Sequence, residues 1–147
     1  MSTWMGMSAR QSVAEAKYRM WFRRVVLFGV FVNVSLGLPT VFRPNFVLGL
    51  LGVPLTHEPL WANFAAFLLI LMTLFYVPGA LDSVRYRANA WLAIFARFIT
   101  VLFFVLTPYR NDWLLFGMID LTFFVPQVVL LTLAERARSA AWLNHGS

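Results

Sequence analysis

Arg97 and Asp120 are the residues best placed to do chemistry, because each stands well inside a long apolar run. Arg97 lies between Trp91-Leu92-Ala93-Ile94-Phe95-Ala96 and Phe98-Ile99-Thr100-Val101-Leu102-Phe103-Phe104. Asp120 lies between Gly117-Met118-Ile119 and Leu121-Thr122-Phe123-Phe124, and no other acidic residue falls within an apolar run. An unpaired charge at the centre of a bilayer costs at least about 2.5–3.5 kcal/mol on insertion scales, so each needs a partner. Paired inside a polar pocket, the guanidinium fork of Arg97 can hold a carboxylate, a sulfonate or a quinone oxygen while Asp120 orients it. The same pair can instead be a clamp that fixes helix register, or a station for a proton or an ion.

The elements carrying them decide whether they meet. The run holding Arg97 stops at Thr107-Pro108 and the run holding Asp120 begins near Trp113, with Tyr109-Arg110-Asn111-Asp112 between. So short a link makes the two helices antiparallel neighbours. At 1.5 Å rise per residue, Asp120 lies roughly 10–12 Å in from that link and Arg97 roughly 15 Å. An extended arginine spans the offset of about 5 Å between helices packed about 8–10 Å apart.

Other polar residues join the pattern. Gly117, Asp120, Phe124 and Gln127 share one helix face, and Pro126 frees the carbonyl of Thr122. Gly29, Asn33 and Gly37 recur every fourth residue, which lets a neighbour approach on either side of an amide. Asn63, Ala66, Ile70 and Thr73 share a third face. The simplest arrangement turns these faces inward around an intramembrane polar or ligand-binding centre of Arg97, Asp120, Asn33 and Gln127.

Composition fixes the class. Hydrophobic residues make up 61% of the 147 and charged residues 12%, and the mean hydropathy is +0.73. The expected fold is an all-α, integral membrane four-helix bundle, because a span takes about 20 apolar residues. The spans fall at about 20–42, 60–78, 88–107 and 113–134 of a single membrane domain, residues 1–147, with no room for a water-soluble catalytic module. The stretch at about 44–54, bracketed by Pro44 and Pro54, is too short to cross and reads as a short interfacial or re-entrant helix. Pro78-Gly79 reads as a breaker that closes the second run. The tails, to about Ala16 and from Ser139, read as mobile or surface-lying.

The first run follows Lys17, Arg19, Arg23 and Arg24 as a secretory leader would, yet no Ala-x-Ala-like site follows it, so it reads as a retained helix. With the N-terminus inside, Arg10, those four residues, Arg85, Arg87, Arg136 and Arg138 fall on the cytoplasmic side, and Arg43 and Arg110 outside. Both termini are then cytoplasmic. Trp61, Trp91, Trp113 and Tyr109 lie at run ends, at headgroup level. Arginine outnumbers lysine, which fits a GC-rich bacterial genome and a bacterial inner membrane.

Several chemistries are disfavoured. The absence of cysteine removes thiolate nucleophiles and thiolate metal ligands. The two histidines, His57 and His145, lie outside the runs, so a haem or a histidine-rich metal centre is not expected. The net charge of +6 suits anionic lipid better than nucleic acid, since no basic face with interleaved aromatics extends beyond the membrane flanks. Asp82-Ser83-Val84-Arg85 and the outer pair His57-Glu58 are weaker catalytic or metal motifs.

The chain resembles the small four-helix membrane proteins grouped around DoxX. An arginine in the third helix (Arg97), an aspartate in the fourth (Asp120) and a proline-rich connection from Pro39 to Pro54 carry the resemblance. It implies a membrane subunit, in some relatives one associated with quinone-linked sulfur oxidation. It carries no catalytic residue over, and the lack of cysteine speaks against thiol chemistry. Minimal size and missing cofactor ligands favour an accessory or assembly subunit of a larger membrane complex, with no enzymatic activity of its own. The competing expectations are a quinone- or lipid-binding oxidoreductase subunit or enzyme built on the polar centre, and a transporter or proton relay. The bilayer is the expected partner, with a homo-oligomer as a further option, and no covalently held cofactor is implied.

Overall fold

A computed structural model describes the backbone of residues 2–107 and 110–143 and the side chains of residues 12–107, 113–141 and 143. The chain is all helical: α1 (Ser2–Phe42), α2 (Pro44–Leu50), α3 (Pro59–Leu81), α4 (Arg87–Leu106) and α5 (Arg110–Leu143). Four stretches, Ser12–Phe42, Pro59–Leu81, Arg87–Leu106 and Trp113–Ala141, are long and apolar enough to cross a membrane. They pack as a bundle, with α1 lying along both α3 and α5 and α4 closing the ring against α5 and α3. One end of the bundle carries the chain ends and the α3–α4 turn. The other carries α2.

The polar and apolar faces are inverted relative to a water-soluble protein. Phe28, Phe31, Phe67, Leu74 and Phe95 face outward, while Asn33, Thr73, Ser83, Arg97 and Gln127 are buried. Apolar flanks and a polar interior suit lipid as the surrounding solvent. This is a small multi-pass membrane protein.

The half nearer the chain ends holds the apolar core of Phe22, Val26, Tyr76, Ala80, Ala90, Ala93, Ile94 and Leu131. Small residues let α3 and α4 come close there, and a Cβ on Gly79 would lie 2.4 Å from the Ala90 amide nitrogen. This packing also explains a departure from the sequence reading. Pro78-Gly79 does not break the second span, and α3 runs through both residues to Leu81. Pro78 falls in the last turn of α3, and the Asp82 amide still bonds to the Pro78 carbonyl at 3.0 Å.

Two further boundaries differ. The tails continue as helix, α1 starting at Ser2 and α5 reaching Leu143, because good helix formers such as Ala, Glu and Arg extend a helix that the span has already nucleated. The short segment after α1 is helical only over Pro44–Leu50. Gly52, at φ 69°, ends it, with the Val53 amide bonded to Leu48 (2.9 Å) and the Gly52 amide to Gly49 (3.2 Å), a Schellman closure. The Asn45 side chain then fastens the following loop by pairing with both the amide and the carbonyl of Thr56 (3.0 and 3.1 Å). Arg10, Tyr109, Arg110 and His145, used above for orientation, the aromatic belt and metal ligation, lie outside the described side chains.

Candidate functional site: a cavity with a carboxylate floor

Arg97 of α4 and Asp120 of α5 meet inside the bundle, Nη1 donating to Oδ1 at 2.5 Å. The arginine side chain is 3% exposed and the aspartate 19%, a difference that sets the chemistry of the site. Beyond Asp120, the guanidinium lies 4.7 Å over the Phe123 ring, where the ring face attracts a cation. On its other side it fills the gap left by Gly29 of α1, next to Nη2. Tyr76 of α3 stands within electrostatic range of both charges. Arg97 therefore crosses the bundle interior, touching α5 and α1 from α4. Among the described residues, its Nε and Nη2 have no hydrogen-bond partner.

Above this pair, toward α2, lies a cavity of about 620 Å³, within the ordinary range for small-molecule sites. Asp120 and Asn33 line its inner end, Thr100 and Phe104 one side, and Trp61 and Trp113 the α2 end, with Val47 and Leu48 of α2 across it. The lining is otherwise chiefly leucine and alanine. Arg97 is not in the wall. Asn33 donates to Thr73 Oγ1 at 3.0 Å, and Thr73 in turn donates to the Leu69 carbonyl at 2.7 Å, which holds the Asn33 amide against α3.

The four residues singled out from sequence are thus divided. Arg97, Asp120 and Asn33 gather at the cavity's inner end, with Arg97 behind the carboxylate. Gln127 lies two helical turns from Asp120, lines no part of the cavity, and is fully buried with both amide atoms unpartnered among the described residues. The orientation of the pair also differs from the sequence reading. The cavity wall carries the carboxylate and not the guanidinium fork, because the register of α4 against α5 sets Arg97 one layer deeper, into the space at Gly29.

The glycine and asparagine faces do as their spacing suggests. Gly29 admits the guanidinium, Gly37 admits Ile70 of α3, and Asn33 sits between them. The Asn63 amide lies between the Thr40 and Pro59 carbonyls and donates to both, at 3.2 and 3.1 Å. Sequence reasoning missed Tyr76, which was detectable, since it falls three residues after Thr73 on the same face.

The weaker motifs have local structural explanations. Asp82 Oδ1 accepts from the Val84 and Arg85 amides, at 3.1 and 3.0 Å, which shapes the α3–α4 turn. Those bonds, the Arg85 amide foremost, hold its carboxyl below the usual value. Ser83 accepts from Arg19 Nη1 at 2.7 Å, and Arg19 also pairs with Glu15 at 2.8 Å. His57 and Glu58 are exposed, and among the described residues no group of three or more His, Asp or Glu gathers as metal ligands would.

The chain matches no protein-family model, no curated protein and no solved structure.

Proposed function

We propose that this protein binds an apolar, chain-bearing molecule in the cavity beneath α2, and recognises it by a hydrogen bond from the molecule's head to Asp120. The supporting observation is the placement of Asp120. It is the charged group at the inner end of an otherwise mostly apolar cavity, and Arg97 occupies only one of its oxygens. Such a site takes a hydroxyl-ended lipid or a quinol. Arg97, standing behind it, holds one carboxylate oxygen and leaves the other as an acceptor toward the cavity in a low-dielectric setting. A quinone- or lipid-binding subunit of an oxidoreductase accords with this chemistry and with the resemblance to DoxX-like proteins.

An accessory or assembly role is the second reading. The exposed apolar flanks serve lipid contact and subunit contact equally, so the cavity favours binding. The orientation we adopt puts the chain ends and the α3–α4 turn in the cytoplasm, where Lys17, Arg19, Arg23, Arg24, Arg85, Arg87, Arg136 and Arg138 gather.

The test is extraction. Purified in mild detergent, the wild type should carry a stoichiometric hydroxyl-bearing lipid or quinol, read by mass spectrometry. Ala65→Phe, which fills the cavity, should lose it, while Leu68→Phe on the outer face should retain it. Equal extracts from all three would remove the proposal. A stoichiometric protein that co-purifies without any extracted ligand would favour the subunit reading.

A further inference from the structure

A second recess, of about 480 Å³, opens at the end that carries the chain termini, between the start of α4 and the last turns of α5. Arg87 forms one wall, and Glu135, Arg138, Ser139 and Leu143 form the other. Glu135 is already engaged: it accepts from Arg87 Nε at 2.7 Å and Nη2 at 3.0 Å, and from Trp91 Nε1 at 3.3 Å. This two-bonded pairing neutralises the carboxylate within the wall. Arg138, three residues further along α5, has no acidic partner among the described residues. Among the described residues, Arg87 Nη1 makes no hydrogen bond. The Ser139 hydroxyl is turned back to the Glu135 carbonyl at 3.1 Å, so among the described residues the two guanidiniums are the donors that face the recess.

Its level matters as much as its charge. The apolar stretch of α4 begins beside Arg87 and that of α5 gives way to Glu135-Arg136-Ala137-Arg138, and the Trp91 indole sits where aromatic rings favour headgroups. Leu143 adds an apolar wall on one side. A recess with one uncompensated cation at a span boundary, basic on one side and apolar on another, has the features of a headgroup pocket.

We propose that this recess binds a phosphate-bearing anion, held by Arg138 and the free Nη1 of Arg87, and supplied by an anionic lipid headgroup or from solution. The inference is independent of the cavity beneath α2.

The experiment reconstitutes the full chain in nanodiscs of phosphatidylcholine alone or with phosphatidylglycerol, and reads bound lipid by native mass spectrometry and the thermal midpoint. A second arm adds inorganic phosphate to the phosphatidylcholine discs. The wild type should be stabilised in at least one arm, and Arg138→Gln should weaken that response about fivefold, the effect of one basic residue at a membrane surface. Arg136→Gln, outside the recess, should weaken it less. A response confined to phosphatidylglycerol assigns the lipid, and one to phosphate alone assigns the free anion. The proposal fails if neither arm responds, if Arg138→Gln behaves as the wild type, or if Arg136→Gln has an equal effect, which would reduce the attraction to diffuse surface charge.

Discussion

The guanidinium of Arg97 occupies the place a side chain at Gly29 would take: a Cβ there would lie 2.4 Å from Nη2. Two helices that face each other across the bundle are thereby fitted through one charged group and one missing methyl. Because the guanidinium is also tied to Asp120, it cannot simply swing aside.

Substituting the glycines should therefore separate three kinds of contact. Gly29→Ala should cost about 1–3 kcal/mol, as overpacking does. Gly79→Ala should cost more, since its Cβ would meet the backbone of Ala90, which cannot rotate away. Gly49→Ala meets only Leu55 Cδ2 at 3.7 Å and should gain about 0.5–1 kcal/mol from helix propensity. Unfolding in mixed micelles gives the order. A Gly29→Ala protein as stable as the wild type would show that the guanidinium yields freely.

Removing one member of the ion pair should be worse than removing both. Arg97→Ala strands the Asp120 carboxylate and should cost about 3–5 kcal/mol, seen as lost accumulation in membranes. Arg97→Met with Asp120→Leu should recover stability to near the wild type, since apolar replacement of a buried pair is often neutral or better. The recovered protein should retain no ligand in its extract. Retention at wild-type level would reduce the pair to a clamp.

Gln127 should be replaceable at a gain. Both of its amide atoms are buried without a partner, and such groups cost about 1–3 kcal/mol each when desolvated. Gln127→Leu should thus raise the unfolding free energy by about 1 kcal/mol or more. A fall instead would reveal that water or a ligand bonds the amide.

Acid should loosen the α3–α4 turn. The Arg85 amide, then the Val84 amide, lower the Asp82 carboxyl below the usual 3.8. Its contribution to stability is accordingly complete above 3.8 and is lost as pH falls through the lower folded value. Asp82→Asn should remove this component, so the gap between its thermal midpoint and that of the wild type should shrink on acidification. A gap independent of pH would exclude ionisation of Asp82 as its source.

Mapping the orientation is simplified by the absence of cysteine. Arg85→Cys should react with membrane-impermeant maleimide only after the cytoplasmic face is exposed, and His57→Cys in intact cells. The reverse pattern would invert the bundle.

The sequence by itself determined the membrane class, the four spans, the short helix after the first span, and the residues that had to find partners. Hydropathy over 18 residues and the cost of a stranded charge are local quantities, legible wherever they occur. The closeness of Arg97 and Asp120 was also legible, because so short a link leaves adjacent helices little choice of register. Only the tertiary structure decided which member of the pair faces the cavity, that Gly29 makes the room, and that Gln127 stands apart. Helix rotation and depth set these, and they depend on how side chains from several helices interlock. The same holds for the recess of Arg87, Glu135 and Arg138, which brings residues 48 apart in the chain together across two helices, as no single helix could show.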